Sequence, residues 1–191
     1  YGDDARGEVI LDGAGNIYIA GSTLSQDFPI VGNGFQNTRA GQQDGCIVKL
    51  NPGLTSVIWS SYLGGGEDDA AYTIKLDGSG NVFVAGGTES NDMPISTGLN
   101  TSYQGGNADG FIVKINNNGT SILSGTYMGT DDYDQIYLLD IDRMNDIYVV
   151  GQTEGTLPTV DPPAGPVYSN NGGKQFITKL DNGLSTISYS T

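Results

Sequence analysis

Three copies of one strand–turn–strand pattern at a fixed interval, a glycine-rich composition and two turn signals per copy together predict an all-β fold. The architecture they predict is a β-propeller of three 65-residue, four-stranded antiparallel blades. The copies are Leu11–Gly21, Leu76–Gly86 and Ile141–Gly151, and Asp12, Asp77 and Asp142 stand 65 residues apart. The blades are expected at residues 1–65, 66–130 and 131–191.

Each element follows from local pattern. The first strand is expected at Arg6–Asp12, Tyr72–Asp77 and Gln135–Asp142, where apolar residues partly alternate. Asp-Gly-Ser-Gly-Asn and its variants follow, and Gly and Asn supply the positive φ of a tight turn. The second strand, Ile17–Ala20, Val82–Ala85 and Ile147–Val150, is nearly all apolar, which predicts burial on both faces. A long connection comes next. It holds Asp27-Phe28-Pro29 in the first repeat and Asp92-Met93-Pro94 in the second, whereas the third carries Asp161-Pro162-Pro163-Ala164-Gly165-Pro166. Those prolines exclude a ladder strand. The frame repeats and the connections vary, which is where binding surfaces are expected.

The third strand is expected at Gly45–Leu50, Gly110–Ile115 and Gln175–Leu180. Asp44 and Asp109 precede the first two, and Lys174 takes that place in the last. Asn51-Pro52-Gly53, Asn116–Gly119 and Asp181-Asn182-Gly183 mark the second turn, before a fourth strand at Ser56–Tyr62, Ser121–Tyr127 and Thr186–Thr191. Three blades fall short of the four to eight that close a ring. Further blades in a longer protein are the expected completion, with association of two chains as the other; the oligomeric state stays open. The chain opens at Tyr1 without a methionine and stops at Thr191 within a repeat, which reads as a piece of a longer protein.

Composition narrows the function classes. Lys and Arg number 8 against 22 Asp and Glu, a net charge of −14. Such a surface repels phosphate backbones and anionic lipid, so neither nucleic acid nor the membrane surface is an expected partner. No apolar run approaches membrane-spanning length, so membrane insertion is not expected. Histidine is absent, which removes the commonest general base and metal ligand. Cys46 is the single cysteine and occupies the position of Phe111 and Phe176, so a buried core role is expected.

The repeat elements Gly65–Ala70, Asp77–Gly86, Thr88 through Met93-Pro94, and Ala108–Ile115 together resemble the bacterial SBBP beta-propeller repeat. Asp146 and Lys174 depart from its pattern in the third copy. The resemblance implies a propeller in a secreted or cell-surface bacterial protein. It implies no single enzymatic activity and supplies no catalytic residue.

The acidic corners are the one candidate for a cation. Asp4, Asp69 and Asp134 are in register, with Asp3, Glu67, Asp68, Asp131 and Asp132 beside them. Calcium takes six to eight oxygens, and such corners could supply some. The competing reading is a structural carboxylate that accepts backbone N–H bonds and pairs with the recurring Lys49, Lys114 and Lys179. Asp12, Asp77 and Asp142 read as turn residues, Tyr18, Phe83 and Tyr148 as packing between blades, and Trp59 as core. Gly64-Gly65-Gly66 and Gly105-Gly106 lack the Lys-Ser/Thr of a phosphate loop.

The expected function is a non-catalytic scaffold, adhesion or binding module, not an enzyme, that engages protein or glycan partners through its long loops and uses no cofactor. The alternative is a carbohydrate-active propeller, of glycoside hydrolase or lyase type, with channel-lining carboxylates. Its candidates are the non-repeating Glu8, Asp27, Glu89, Asp92, Glu154 and Asp161. It requires one close pair with a raised pKa.

Overall fold

The computed structural model describes residues 6–169 and 172–191. Every described regular element is a strand, and no helix is long and apolar enough to cross a membrane. Blade 1 comprises β1 (Glu8–Leu11), β2 (Ile17–Thr23), β3 (Asp44–Leu50) and β4 (Val57–Leu63). Blade 2 comprises β5 (Asp69–Leu76), β6 (Val82–Thr88), β7 (Asp109–Ile115) and β8 (Ile122–Met128). Blade 3 comprises β9 (Asp134–Ile141), β10 (Ile147–Thr153), β11 (Gln175–Leu180) and β12 (Ile187–Ser190). Each sheet pairs its strands in chain order and antiparallel, and the three sheets do not close into a ring.

The turns form as their residues dictate. Asp77 Oδ1 accepts the N–H groups of Ser79 and Asn81, both at 2.9 Å, and Gly80 sits at φ 78°. Asp12 and Asp142 do the same in their blades, with Asn145 supplying the positive φ in the third. The second turn departs from expectation. Its left-handed residue is Leu54 (φ 54°), Gly119 (φ 72°) and Leu184 (φ 56°), one position beyond Gly53 and Gly183. The strand registers fix that position whatever residue occupies it.

Packing is between sheets, face to face. Tyr18, Ala20, Ile47 and Trp59 of blade 1 lie against Ile74, Val82, Val84, Phe111, Val113 and Ile115 of blade 2 in one core. Phe83, Ala85 and Ile112 on the other face of blade 2 meet Leu139, Ile147, Val149, Phe176 and Leu180 of blade 3 in a second. Trp59 is buried as expected. Its ring meets Tyr18 edge to face and packs on Gly119, where a Cβ would come within 2.3 Å of the indole.

Blade 2 is thus covered on both faces and its neighbours on one each. The expectation of a doubly buried second strand holds for β6, all of whose residues are buried, and fails for β2 and β10, which alternate. Cys46 is corrected for the same reason: it is only partly buried, whereas Phe111 and Phe176 at its repeat positions are buried. The side of β3 that carries Cys46 has no blade against it.

The first strands of blades 2 and 3 each carry a bulge, between Ala71 and Thr73 in β5 and opposite Val150/Gly151 in β9. Gly86 and Gly151 are required there. A Cβ on Gly86 would lie 1.8 Å from the Ala70 carbonyl oxygen, and one on Gly151 2.2 Å from that of Gln135. The bulged residues Tyr72 and Tyr137 stand with ring centroids 6.1 Å apart, and the Arg6 guanidinium lies over both.

Candidate functional site

The junctions between blades gather the charged groups. At the first, β3 begins with Asp44 and β5 with Asp69, and both are fully buried. The Asp69 N–H donates to the Gln43 carbonyl at 2.8 Å, and the Asp134 N–H repeats this with Ala108 at the second junction. A Cβ on Gly64 would sit 2.6 Å from Asp69 Oδ2 and 2.7 Å from Asp44 Cγ, so both carboxyl groups crowd that glycine. Gly129 stands in the same place against Asp109. The glycines beside the acidic corners therefore make room for carboxylates rather than for a phosphate.

The two junctions satisfy their carboxylates differently. Asp44 accepts the N–H groups of Ala40 and Gly41 and the Gln36 amide, each at 3.0 Å. Asp69 accepts the Gly65 N–H at 2.7 Å, the Ser90 hydroxyl at 3.0 Å and the Thr88 hydroxyl. At the second junction Thr101 and Gly155 stand at the repeat positions of Gln36 and Ser90. Asp109 accepts only the Gln104 N–H through Oδ2, and Asp134 accepts the Thr130 N–H and hydroxyl through Oδ2. Oδ1 of each has no hydrogen-bond partner.

Burial is the largest influence on Asp44, Asp69 and Asp109. It pushes Asp69 up to about 7 against the donors that favour its charge, with the Asp44 charge adding to the rise. Burial likewise pushes Asp109 up to about 7, and the Asp134 charge adds to it. The carbohydrate reading asks for a close carboxyl pair with a raised pKa. The raised acids are Asp44, Asp69 and Asp109, and all three are buried inside blade junctions, while a general acid must touch the group it protonates.

The recurring lysines do not pair with these corners. Lys114 Nζ is 3.5 Å from the turn residue Asp77, and Lys179 Nζ is 3.6 Å from Asp142 and 2.7 Å from Asp146. Each lysine also lies over the aromatic ring of its own second strand: Lys49 over Tyr18, Lys114 over Phe83 and Lys179 over Tyr148, at 4.8 to 5.3 Å. The register explains the correction, because the second-strand aromatic stands directly opposite the lysine across the ladder. Asp77 shows the effect. Burial raises it, but the Asn81 side chain and N–H, the Ser79 N–H and the Lys114 charge outweigh burial and hold it below the usual carboxylate range.

The remaining candidates are scattered. Glu8 spans the first junction, accepting from Thr73 at 2.7 Å, from the Ile74 N–H at 2.8 Å and from Lys75. Asp92 caps Gly66, Asp27 accepts from Ser25, and Asp161 accepts the Val167 N–H. The Glu154 carbonyl accepts from Lys174, and Glu89 donates its N–H to the Asp68 carbonyl. Asp3 and Asp4 lie outside the described residues. Among the described residues no three Asp, Glu, His or Cys side chains gather to hold a metal ion.

The long connections are not free tips. Residues 24–43 run along the outer edge of blade 1, where the Ser60 N–H donates to Val31 and the Tyr62 N–H to Gln36. Residues 89–108 cover β8 through the N–H groups of Gly125 and Tyr127, and Val160 pairs with Ser190 on β12. Each connection protects an edge strand and leaves its far side exposed. Leu24 is 65% exposed and Tyr168 89%.

Residues 8–29 and 58–93 match the SBBP family, described as a beta-propeller repeat. Over these two stretches the chain is similar to SBBP beta-propeller repeats. The matched stretches cover the β1–β2 hairpin of blade 1 with the start of its long connection, then the run from β4 through β6. They contain Asp69, the Asp12 and Asp77 turns and the Gly64–Gly66 corner. Blade 3, where Lys174 breaks the pattern, lies beyond both stretches. Comparison with curated proteins gives no match. A repeat of this family points to a binding or scaffold module.

Proposed function

We propose that this chain is a non-catalytic binding module of a secreted or cell-surface protein, which holds protein or glycan partners on the exposed side of its long connections. The observation that carries the reading is a division of labour. Residues that recur every 65 positions are consumed in turns, bulges and blade junctions, while the connections at 24–43, 89–108 and 154–174 differ in sequence and present apolar side chains to solvent. Leu24 and Tyr168 are the most exposed large apolar residues of those connections. The carboxylates that a glycosidase would need are spread among separate structural contacts.

The test is a screen of immobilised glycans and extracellular proteins, followed by Leu24→Ala and Tyr168→Ala on any partner found. Binding should fall at least tenfold in one variant with the melting temperature unchanged. Hydrolysis of a glycan by the chain, abolished by Asp or Glu replacement without loss of fold, would overturn the reading. The module needs no calcium in this account, so a chelator should leave its melting temperature in place.

A further inference from the structure

We propose that Asp109 and Asp134 share one proton between their partnerless Oδ1 atoms, and that this proton latches blade 3 to blade 2 until rising pH removes it. The two acids stand at the starts of β7 and β9, on either side of the second junction, and both are fully buried. Asp109 Oδ1 crowds Gly129, where a Cβ would come within 2.1 Å of it. Asp134 Oδ2 is held by the N–H and hydroxyl of Thr130, the next residue. Two adjacent residues thus bring the carboxyl groups together, and the Asp134 charge bears on Asp109.

The first junction shows what the second lacks. There every carboxyl oxygen has a donor: Gly41 on Asp44 Oδ1, Ala40 and Gln36 on Asp44 Oδ2, Thr88 on Asp69 Oδ1, and Gly65 and Ser90 on Asp69 Oδ2. At the second junction Thr130 stands at the position of Gly65 and Gly155 at that of Ser90. A Cβ on Gly155 would lie 2.2 Å from Thr130 Oγ1, so the threonine hydroxyl fills the place of a side chain there. Both of its donors go to Asp134 Oδ2, and Oδ1 has none, like Oδ1 of Asp109. Two bare carboxylate oxygens in a buried site are costly. One proton, bonded to the first and hydrogen-bonded to the second, satisfies both and removes one of two like charges.

Nothing positive offsets the pair. Among the described residues no ion pair reaches either acid. The titratable groups around it are acids: Glu89 and Tyr103 of the second connection, Tyr127 of β8, Asp131, Asp132 and Tyr133 before β9, and Glu154 after β10. Lys174, which leads into β11, donates to the Glu154 carbonyl. Burial and the Asp134 charge push Asp109 up to about 7, whereas water admitted by opening returns it to about 3.9. Between those values the opened junction holds one proton fewer, so opening becomes about tenfold easier per pH unit.

Hydrogen exchange at single amides, followed by NMR, tests the proposal. The Asp134 amide donates to the Ala108 carbonyl across the second junction and the Asp69 amide to the Gln43 carbonyl across the first, so each reports its own junction. Protection at Asp134, corrected for intrinsic exchange, should fall about tenfold per pH unit from pH 5 to pH 7. Asp109→Asn and Asp134→Asn each place an NH₂ group where the proton lies, so either alone should hold protection at position 134 level across that range. Together they set two NH₂ groups face to face with no acceptor between them. Protection at position 134 should then drop at least about tenfold at every pH, while the Asp69 amide keeps its own. Loss of protection in either single variant would overturn the proposal, since the oxygens would then be held by something other than a proton. A double variant as well protected as the single ones would also overturn it, because two acids that titrate apart gain from losing both charges.

Discussion

Blade 2 and blade 1 are built from the same pattern at the same interval, yet their apolar faces have different fates. Ile74, Val84 and Phe111 of blade 2 are fully buried, while Val9 and Ile19 of blade 1 are exposed and Cys46 is partly so. The backbone ladders on which these residues sit are alike, with β2 and β6 each pairing the same way with the strands beside them. What differs is the neighbour. In a repeat array each unit is completed by the next, so burial belongs to the junction rather than to the strand. A residue's role is then set by its place in the order of blades as much as by its place in the repeat.

The comparison can be pressed at several positions. The largest effect is expected at the third strand. Phe111→Ala should cost about 3–5 kcal/mol in denaturant unfolding, as for other buried aromatic truncations, while Cys46→Ala should cost under about 1 kcal/mol. Equal losses would show that blade 1 is packed as tightly as blade 2. The left-handed turn residues give a second contrast. Leu184→Gly relieves its backbone but removes a buried side chain, so it should destabilise by about 2 kcal/mol. Leu54→Gly gives up only an exposed side chain and should stabilise by up to about 1 kcal/mol.

A third contrast lies between the two junctions. An unfolded Asp titrates near 3.9, and Asp69 and Asp109 are pushed up to about 7 by burial. Between those values the native chain holds protons that the unfolded chain has lost, so raising the pH favours unfolding. The melting temperature should fall from pH 5 to pH 8. Asp109→Asn should flatten the fall, because a neutral amide keeps an oxygen for the Gln104 N–H and removes the charge facing Asp134. A slope that steepened in this variant would contradict the assignment.

Much of the frame was legible because turns and alternation are local. Asp12, Asp77 and Asp142 announce their turns, and the 65-residue interval announces the blades. Strand ends were less so: β2, β6 and β10 run on through Thr23, Thr88 and Thr153, and in β6 and β10 Gly86 and Gly151 make room for an inner-strand bulge that an apolar pattern does not reveal. The pairing of Asp44 with Asp69 joins residues from two blades, and only their common recurrence beside Gly64 and Gly129 hinted at it. The lysines were legible as recurring but not as partners of the turn and the ring, since that depends on register. The path of the connections along the blade edges was hidden because it is made largely by backbone groups, which every residue has.

The most direct test of junction-borne burial is one substitution made at one repeat position in two blades. Ile74→Ala and Val9→Ala should be compared by urea unfolding, at a dilution where light scattering gives single chains. The account predicts a loss of about 2–4 kcal/mol for Ile74→Ala and under about 1 kcal/mol for Val9→Ala. Matching losses would contradict it, because they would place the stabilisation within each blade rather than between blades.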